Sequence, residues 1–247
     1  MTTAVNTRTR YTDTGRATLV PLLVDPATDR VRNLDLEVTP HLFVSAFTGG
    51  GATSALRLVA AHTARHGMDV EIIDFKRVAF TGLAGAGVTV HRDPEDIAQA
   101  VTDFVTGFEI RMEELDGRAP ESHRLLVVDG LDRLRKTTVG FGPDRGSALA
   151  ALETVATLGR AVGYHLAVSA QRRTTDPRAV RVFKDCSAVL SLGPTGNRVR
   201  AELLDAAPRT PGVPAGPGGG EFQDYDGARP VRTVFVTEDE ARALVRG

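Results

Sequence analysis

The sequence is poor in several residue types, and each scarcity excludes a class of protein. It contains 1 cysteine in 247 residues, Cys186, and no tryptophan. A single cysteine excludes an intramolecular disulfide framework and a cysteine-based zinc site. No apolar run approaches the roughly 18–20 residues of a membrane helix, and residues 1–16 lack the apolar core of a signal peptide. We therefore expect a cytoplasmic protein with no membrane segment of its own and a flexible tail at residues 1–16.

Charge of one sign is also lacking, since 30 Lys+Arg oppose 31 Asp+Glu for a formal net charge of -1. This balance excludes a wholly basic, polyanion-binding body but leaves local basic surfaces open. Lysine itself is scarce and occurs only at Lys76, Lys136 and Lys184. The composition, 42% hydrophobic and 25% charged, is that of a globular protein. The length predicts one α/β domain over residues 17–247.

Apolar periodicity predicts alternating strands and helices. Short apolar runs predict strands at 18–24, 31–38, 41–46, 70–75, 88–91, 125–129, 165–170, 188–192, at Phe222 and at 231–236. Helical spacing predicts helices at 52–66, 94–115, 148–162, 198–206 and 238–246, with Asp93 as an N-cap and Thr237 with Glu240 as a capping box. Residues 17–40 form a lead-in hairpin in this scheme, and the Pro/Gly-rich residues 208–220 a loop. The fold class is α/β, with a largely parallel central sheet that binds ligands at the carboxyl ends of its strands.

A glycine cluster connects the strand at 41–46 to the helix at 52–66. The segment Ala46-Phe47-Thr48-Gly49-Gly50-Gly51-Ala52-Thr53 parallels the phosphate-binding pattern G-x-x-x-x-G-K-[ST], but Ala46 replaces the first glycine and Ala52 the lysine. Glycine amides and a helix N-terminus can still hold an anion, and the Thr53 hydroxyl suits Mg2+. The candidate nucleotide-binding residues are Thr48, Gly49, Gly50, Gly51, Ala52 and Thr53. A glycine turn without a ligand is the alternative.

Two further positions belong with this loop. The run Leu125-Leu126-Val127-Val128-Asp129 ends in a carboxylate of the Walker B kind, which makes Asp129 a catalytic candidate and, with Thr53, a metal ligand. The next residue is Gly130, where ATPases of this type usually carry a glutamate; we do not expect Asp132 to be equivalent. Lys76 follows the strand at 70–75 and is a candidate to replace part of the missing lysine, the alternative being a solvated loop residue.

With these motifs in register, the sequence resembles the motor domain of FtsK/SpoIIIE-type DNA translocases, especially actinobacterial TraB-like conjugation proteins. The resemblance covers residues 18–247 and rests on HLFVSAFTGGGATS, EIIDFKR, RLLVVDGLDRL, LGRAVGYHLAVSAQRR and the C-terminal GPGGGEFQDYDGARPVRTVFVTEDEARALV. It implies a RecA-like P-loop NTPase fold, ATP (or ADP) with Mg2+, and a hexameric ring, of itself or with a related active motor subunit, around double-stranded DNA. It also implies catalytic roles for Gln171, Arg160 and Arg172, with one of the two arginines approaching a neighbouring subunit's nucleotide. The alternatives are a polar strand end for Gln171 and an ordinary surface charge for Arg160.

Basic residues follow two of the predicted strands, where the family's loops line the pore. The candidate DNA-binding residues are Arg133, Arg135, Lys136, Arg173, Arg178 and Arg181. Contacts of this kind would be to phosphates and independent of sequence. The alternative is that these two groups of basic residues are ordinary solvated surfaces that bind no nucleic acid.

Ala52 and Gly130 remove the two side chains on which hydrolysis most depends, so we expect binding of nucleotide with impaired or no ATP hydrolysis. Three functions are compatible with the sequence. The favoured one is a DNA-translocase motor fold acting in DNA transfer or within a ring. The second is a pseudo-ATPase that serves as a structural or protein-recognition module of the secretion type, and the third is an unrelated P-loop enzyme.

Overall fold

Ten strands of the described chain form one mixed sheet, in the order β2-β1-β12-β11-β10-β3-β9-β6-β4-β5. The computed structural model describes residues 11–85, 87–140, 146–171, 177–194, 196–204 and 211–246, without the side chains of Gln171, Pro177 and Val199. The six strands from β10 to β5 pair in parallel, and β10, β11, β12, β1 and β2 pair antiparallel. The predicted fold class, a largely parallel sheet flanked by helices, is confirmed.

The strands of this sheet are β1 Leu19–Val24, β2 Val31–Asp35, β3 His41–Ala46, β4 Asp69–Ile73, β5 Val88–His91, β6 Arg124–Asp129, β9 Tyr164–Gln171, β10 Ala188–Leu192, β11 Gly219–Asp224 and β12 Gly227–Thr233. Two strands of two residues each, β7 Thr138–Val139 and β8 Gly146–Ser147, pair with each other in a separate small sheet. The helices are α1 Ala52–Arg65, α2 Pro94–Leu115, α3 Ala148–Leu158, α4 Pro177–Lys184, α5 Asn197–Leu204 and α6 Glu238–Arg246, with 3-10 helices at Leu131–Lys136 and Gly159–Val162. No described helix is both long and apolar enough to cross a membrane.

The central strands are apolar on both sides because helices cover both faces of the sheet. In β6, Leu125 and Val127 belong to the core beneath α1 and α6, whereas Leu126 and Val128 belong to the core beneath α2, α3 and α4. Side chains alternate across a strand, so a strand buried on both faces carries a continuous apolar run. Because these strands are parallel, the carboxyl ends of β3, β4, β6 and β9 all lie on the same side of the molecule.

The two helix N-termini for which the sequence predicts capping residues differ in their hydrogen bonds. The capping box forms, since Glu240 N–H donates to Thr237 Oγ1 (3.1 Å) and Thr237 N–H to Glu240 Oε2 (2.7 Å). Asp93 occupies the N-cap position of α2 as predicted, but its side chain makes no capping hydrogen bond and accepts one from Arg77 Nη2 instead, at 2.5 Å. This charge-assisted hydrogen bond competes with the capping bond for the same carboxylate.

Candidate nucleotide-binding site

The glycine loop turns sharply between β3 and α1. Gly49 and Gly51 have positive φ angles of 80° and 108°, a region that L side chains rarely adopt. Gly50 N–H donates to the carbonyl of Phe47 (2.8 Å), and its own carbonyl accepts from Gly218 N–H (2.9 Å). The loop is therefore held on one side by its own turn and on the other by the glycine turn that leads into β11.

Asp129, at the end of β6, binds three side chains. Its Oδ2 accepts hydrogen bonds from Thr53 Oγ1 (2.8 Å) and Lys76 Nζ (2.9 Å). Its Oδ1 accepts from Ser169 Oγ (2.7 Å), because β6 and β9 pair with Asp129 opposite Ser169. The first turn of α1, the segment after β4, and the strands β6 and β9 each supply one member of this group, which is the convergence expected at the carboxyl ends of parallel strands.

The buried carboxylate of Asp129 is ionised because of these partners. Burial by itself raises the pKa of Asp129, but the hydrogen bonds from Lys76, Ser169 and Thr53 together hold it below the usual value. The side chain of Asp129 is 4% exposed, whereas that of Lys76 is 45% exposed. The ammonium group therefore bridges the buried carboxylate and the open cavity.

The position of Lys76 is fixed by the buried side chain of Asp74. One carboxylate oxygen of Asp74 accepts the backbone N–H groups of Lys76 (3.2 Å) and Arg77 (3.1 Å), and the other those of Ala79 (3.1 Å) and Phe80 (3.3 Å). Asp74 is 0% exposed. Four backbone donors directed at one carboxylate define the course of residues 74–80. Sequence reasoning missed Asp74, although an Asp two residues before the lysine was visible.

A cavity of about 500 Å³ lies between the glycine loop and this group. Three cationic side chains line it, Arg57, Lys76 and Arg133, against two carboxylates, Asp129 and Asp132. The excess of positive charge, added to the N-terminus of α1, suits a polyphosphate. Asp132 faces the cavity because the chain turns at once into the 3-10 helix Leu131–Lys136, a turn that the sequence analysis did not predict.

Gly130 makes that turn possible. Its φ is 113°, and its N–H donates to the carbonyl of Ser169 at 3.2 Å. A glutamate at this position would require a backbone conformation that side chains disfavour. The backbone here is therefore built for glycine, and adding the absent carboxylate by substitution would strain it.

Of the remaining catalytic candidates, only the backbone of Gln171 lies near the glycine loop within the described residues. Gln171 ends β9 opposite Ala46, beside the start of the glycine loop. Arg172 and Arg173 lie outside the described residues. Arg160 belongs to the 3-10 helix that precedes β9. It therefore lies at the amino-terminal ends of the parallel strands, away from the cavity of its own chain.

The basic candidates occupy two neighbouring elements. Arg133, Arg135 and Lys136 are exposed on the 3-10 helix, which packs against α4. Arg178 is exposed on α4, while Arg181 donates to both carboxylate oxygens of Glu153, at 2.8 and 2.9 Å. The charge of Arg181 is thus already paired, which weakens its candidacy as a phosphate ligand.

No family model and no curated protein matches the sequence. Among solved structures, the fold is similar to the cytoplasmic domain of the type VII secretion ATPase EccC of Thermomonospora curvata, with a TM-score of 0.69 at 18% identity over 89% of this chain and 26% of that one. It is similar to the pCW3 conjugation coupling protein TcpA, in a structure with ATPγS, with a TM-score of 0.71 at 16% identity over 96% of this chain and 73% of that one.

It is also similar to ATPases 2 and 3 of EssC from Geobacillus thermodenitrificans, with a TM-score of 0.69 at 13% identity over 96% of this chain and 50% of that one. The chain thus spans about a quarter of the EccC chain and half of the EssC chain. At sequence identities this low, a structural match shows a shared fold and not a shared function. These neighbours are FtsK/SpoIIIE-type motor domains, and the chain has the fold of that family's ATPase domain.

Proposed function

We propose that the chain is a nucleotide-binding domain of the FtsK/SpoIIIE motor type, acting in the cytoplasm, that binds ATP or ADP at the glycine loop. The observation that carries this proposal is the convergence of Thr53, Lys76 and Asp129 at one end of a cavity walled by three glycines. The amides of the loop and the N-terminus of α1 would bind phosphates, and Lys76 would supply the ammonium that Ala52 does not.

Hydrolysis is proposed to be weak or absent in the isolated protein. Gly130 offers no carboxylate to orient an attacking water, and its φ of 113° leaves no easy place for one. Losing one charge-stabilising group at such a site costs on the order of a hundredfold or more in rate. Asp132 lines the cavity but belongs to a different element, the 3-10 helix. The proposed role is therefore binding, with turnover supplied, if at all, by a partner subunit.

The chain is proposed to act within a ring, in which its exposed basic residues contact DNA. Arg133, Arg135 and Lys136 on the 3-10 helix, with Arg178 on the adjacent α4, form a basic surface suited to the phosphates of double-stranded DNA. The secretion and conjugation ATPases with the same fold support a role in moving a polymer. A pseudo-ATPase that recognises a protein partner is the second candidate, favoured by Ala52 and Gly130.

Two substitutions of opposite charge at Ala52 test the nucleotide proposal. Ala52 is the first residue of α1, lines the cavity and is partly exposed, so both side chains have room. Calorimetric titration with ATPγS should show binding about tenfold tighter for Ala52→Lys, since a charged hydrogen bond contributes about 1.5–3 kcal/mol. Binding by Ala52→Glu should be weaker, because its carboxylate repels the phosphates.

The pair is informative because a glutamate in the first turn of a helix favours the helix, so weaker binding by Ala52→Glu would not reflect unfolding. Binding that is the same in the wild type and both variants would place the nucleotide outside this cavity. Absence of binding by all three proteins would refute the proposal. Phosphate release from ATP, measured in parallel, should stay at background; robust turnover abolished by Asp129→Ala would refute the impaired-hydrolysis part.

A further inference from the structure

The oxygens best suited to a magnesium ion in this cavity already bind an ammonium group. A threonine hydroxyl and an aspartate carboxylate are appropriate donors for Mg2+. Here Lys76 Nζ lies 2.9 Å from Asp129 Oδ2 and 3.4 Å from Thr53 Oγ1. A divalent ion bound between these two oxygens would have to displace the lysine. The donor types fit magnesium, but the lysine occupies their shared position.

We propose that the site binds nucleotide without a divalent metal ion and that the Lys76 ammonium takes the electrostatic place of that metal. This inference rests on the proposed nucleotide-binding function and adds the identity of the cation. The Lys76 ammonium then supplies a positive charge beside the glycine loop, in which Ala52 stands at the position of the usual lysine.

Both oxygens of the Asp129 carboxylate are committed in this arrangement. Oδ1 accepts from Ser169 Oγ at 2.7 Å, and Oδ2 accepts from Thr53 at 2.8 Å as well as from Lys76. The carboxylate is 4% exposed, and the Lys76 ammonium already supplies the positive charge that a buried carboxylate requires. The group is therefore complete with the lysine in it.

The backbone that carries Lys76 is also held in place. The four backbone hydrogen bonds to Asp74 fix the course of the segment that carries Lys76. Arg57 of α1 donates to the carbonyl of Ala79 in the same segment, at 2.7 Å from Nη2 and 3.2 Å from Nε. A positioned ammonium loses less freedom on binding an anion than a free one, which favours its use as a resident cation.

The test is calorimetric titration of ATPγS in excess MgCl2 and in excess EDTA. The wild type should bind with the same affinity in both solutions. Lys76→Gln should lose about tenfold in EDTA, about 1.4 kcal/mol, and regain affinity in MgCl2, because removing the ammonium frees Thr53 and Asp129 for the ion. Lys76→Arg should keep metal-independent binding. Arg30→Gln, which removes the same charge from the exposed turn between β1 and β2, should behave like the wild type.

The outcomes separate the two proposals. A wild type that binds in MgCl2 and weakens about tenfold in EDTA would overturn the metal-free inference while leaving nucleotide binding in place. Equal affinities of Lys76→Gln and wild type in EDTA would also overturn it, since another group would then supply the charge. No binding by the wild type in either solution would refute the proposed function itself. Circular dichroism of each variant establishes that it is folded.

Discussion

Replacing Asp74 by alanine should destabilise the protein strongly, because the carboxylate satisfies four backbone donors. Ala79 and Phe80 are buried, so their N–H groups would have no acceptor in the variant. Lys76 and Arg77 are exposed, so their N–H groups can bind water instead. Each unsatisfied buried donor costs about 1–3 kcal/mol, which gives about 2–6 kcal/mol for the two. This is a large part of the ~5–15 kcal/mol by which domains are stable.

Urea denaturation followed by circular dichroism measures the change. Asp25→Ala is the matched control, because Asp25 also accepts two backbone N–H groups, from Ala27 and Thr28, but in an exposed turn. That variant should shift the urea midpoint much less than Asp74→Ala. A loss below about 1 kcal/mol for Asp74→Ala would refute the argument that the carboxylate organises residues 74–80.

Three further outcomes follow from the structure. Gly130→Ala should lower the free energy of unfolding by about 1–2 kcal/mol, because φ is 113°; Gly146→Ala, with open space around its Cβ and no positive φ, should not. Burial lowers the pKa of His41 to about 3, from 6.5 when unfolded, so the unfolded state binds more protons between these values. The free energy of unfolding therefore rises with increasing pH across that window and falls as the pH is lowered. His41→Asn should flatten this fall in urea titrations at several pH values, and an unchanged slope would contradict it. The double variant Arg135→Ala, Lys136→Ala should reduce the salt dependence of DNA binding, by up to about 1.8 in the slope of log affinity against log salt; an unchanged slope in anisotropy titrations would favour a protein partner.

The central strands and the long helix were predictable because their signals are local. The unbroken apolar run of β6 predicts a strand buried on both faces, and α2 begins and ends at the predicted residues, Pro94 and Leu115. The 3-10 helix Leu131–Lys136 was not predicted because six residues give too little periodicity. The start of β11 at Gly219 was missed because glycines carry no side-chain pattern.

The site was predictable where its residues follow a strand and not where they depend on register. Thr53 and Asp129 stand in known motif positions, and Lys76 follows β4 closely enough to be considered. Ser169 was missed because its contact with Asp129 depends on the pairing of β6 with β9, 40 residues apart in sequence. Asp74 was missed because a carboxylate that binds backbone N–H groups resembles, in sequence, any acidic residue at a strand end.

The central claim is that residues 46–53 bind the phosphates of a nucleotide. A crystal structure of the protein with ATPγS tests it most directly, because the electron density of the phosphates shows which groups they contact. We expect the triphosphate to lie against the backbone N–H groups of Gly49 and Gly51, with Lys76 Nζ within hydrogen-bond distance of a phosphate oxygen. Nucleotide density elsewhere on the chain, or a glycine loop that stays empty with saturating ATPγS, would contradict it.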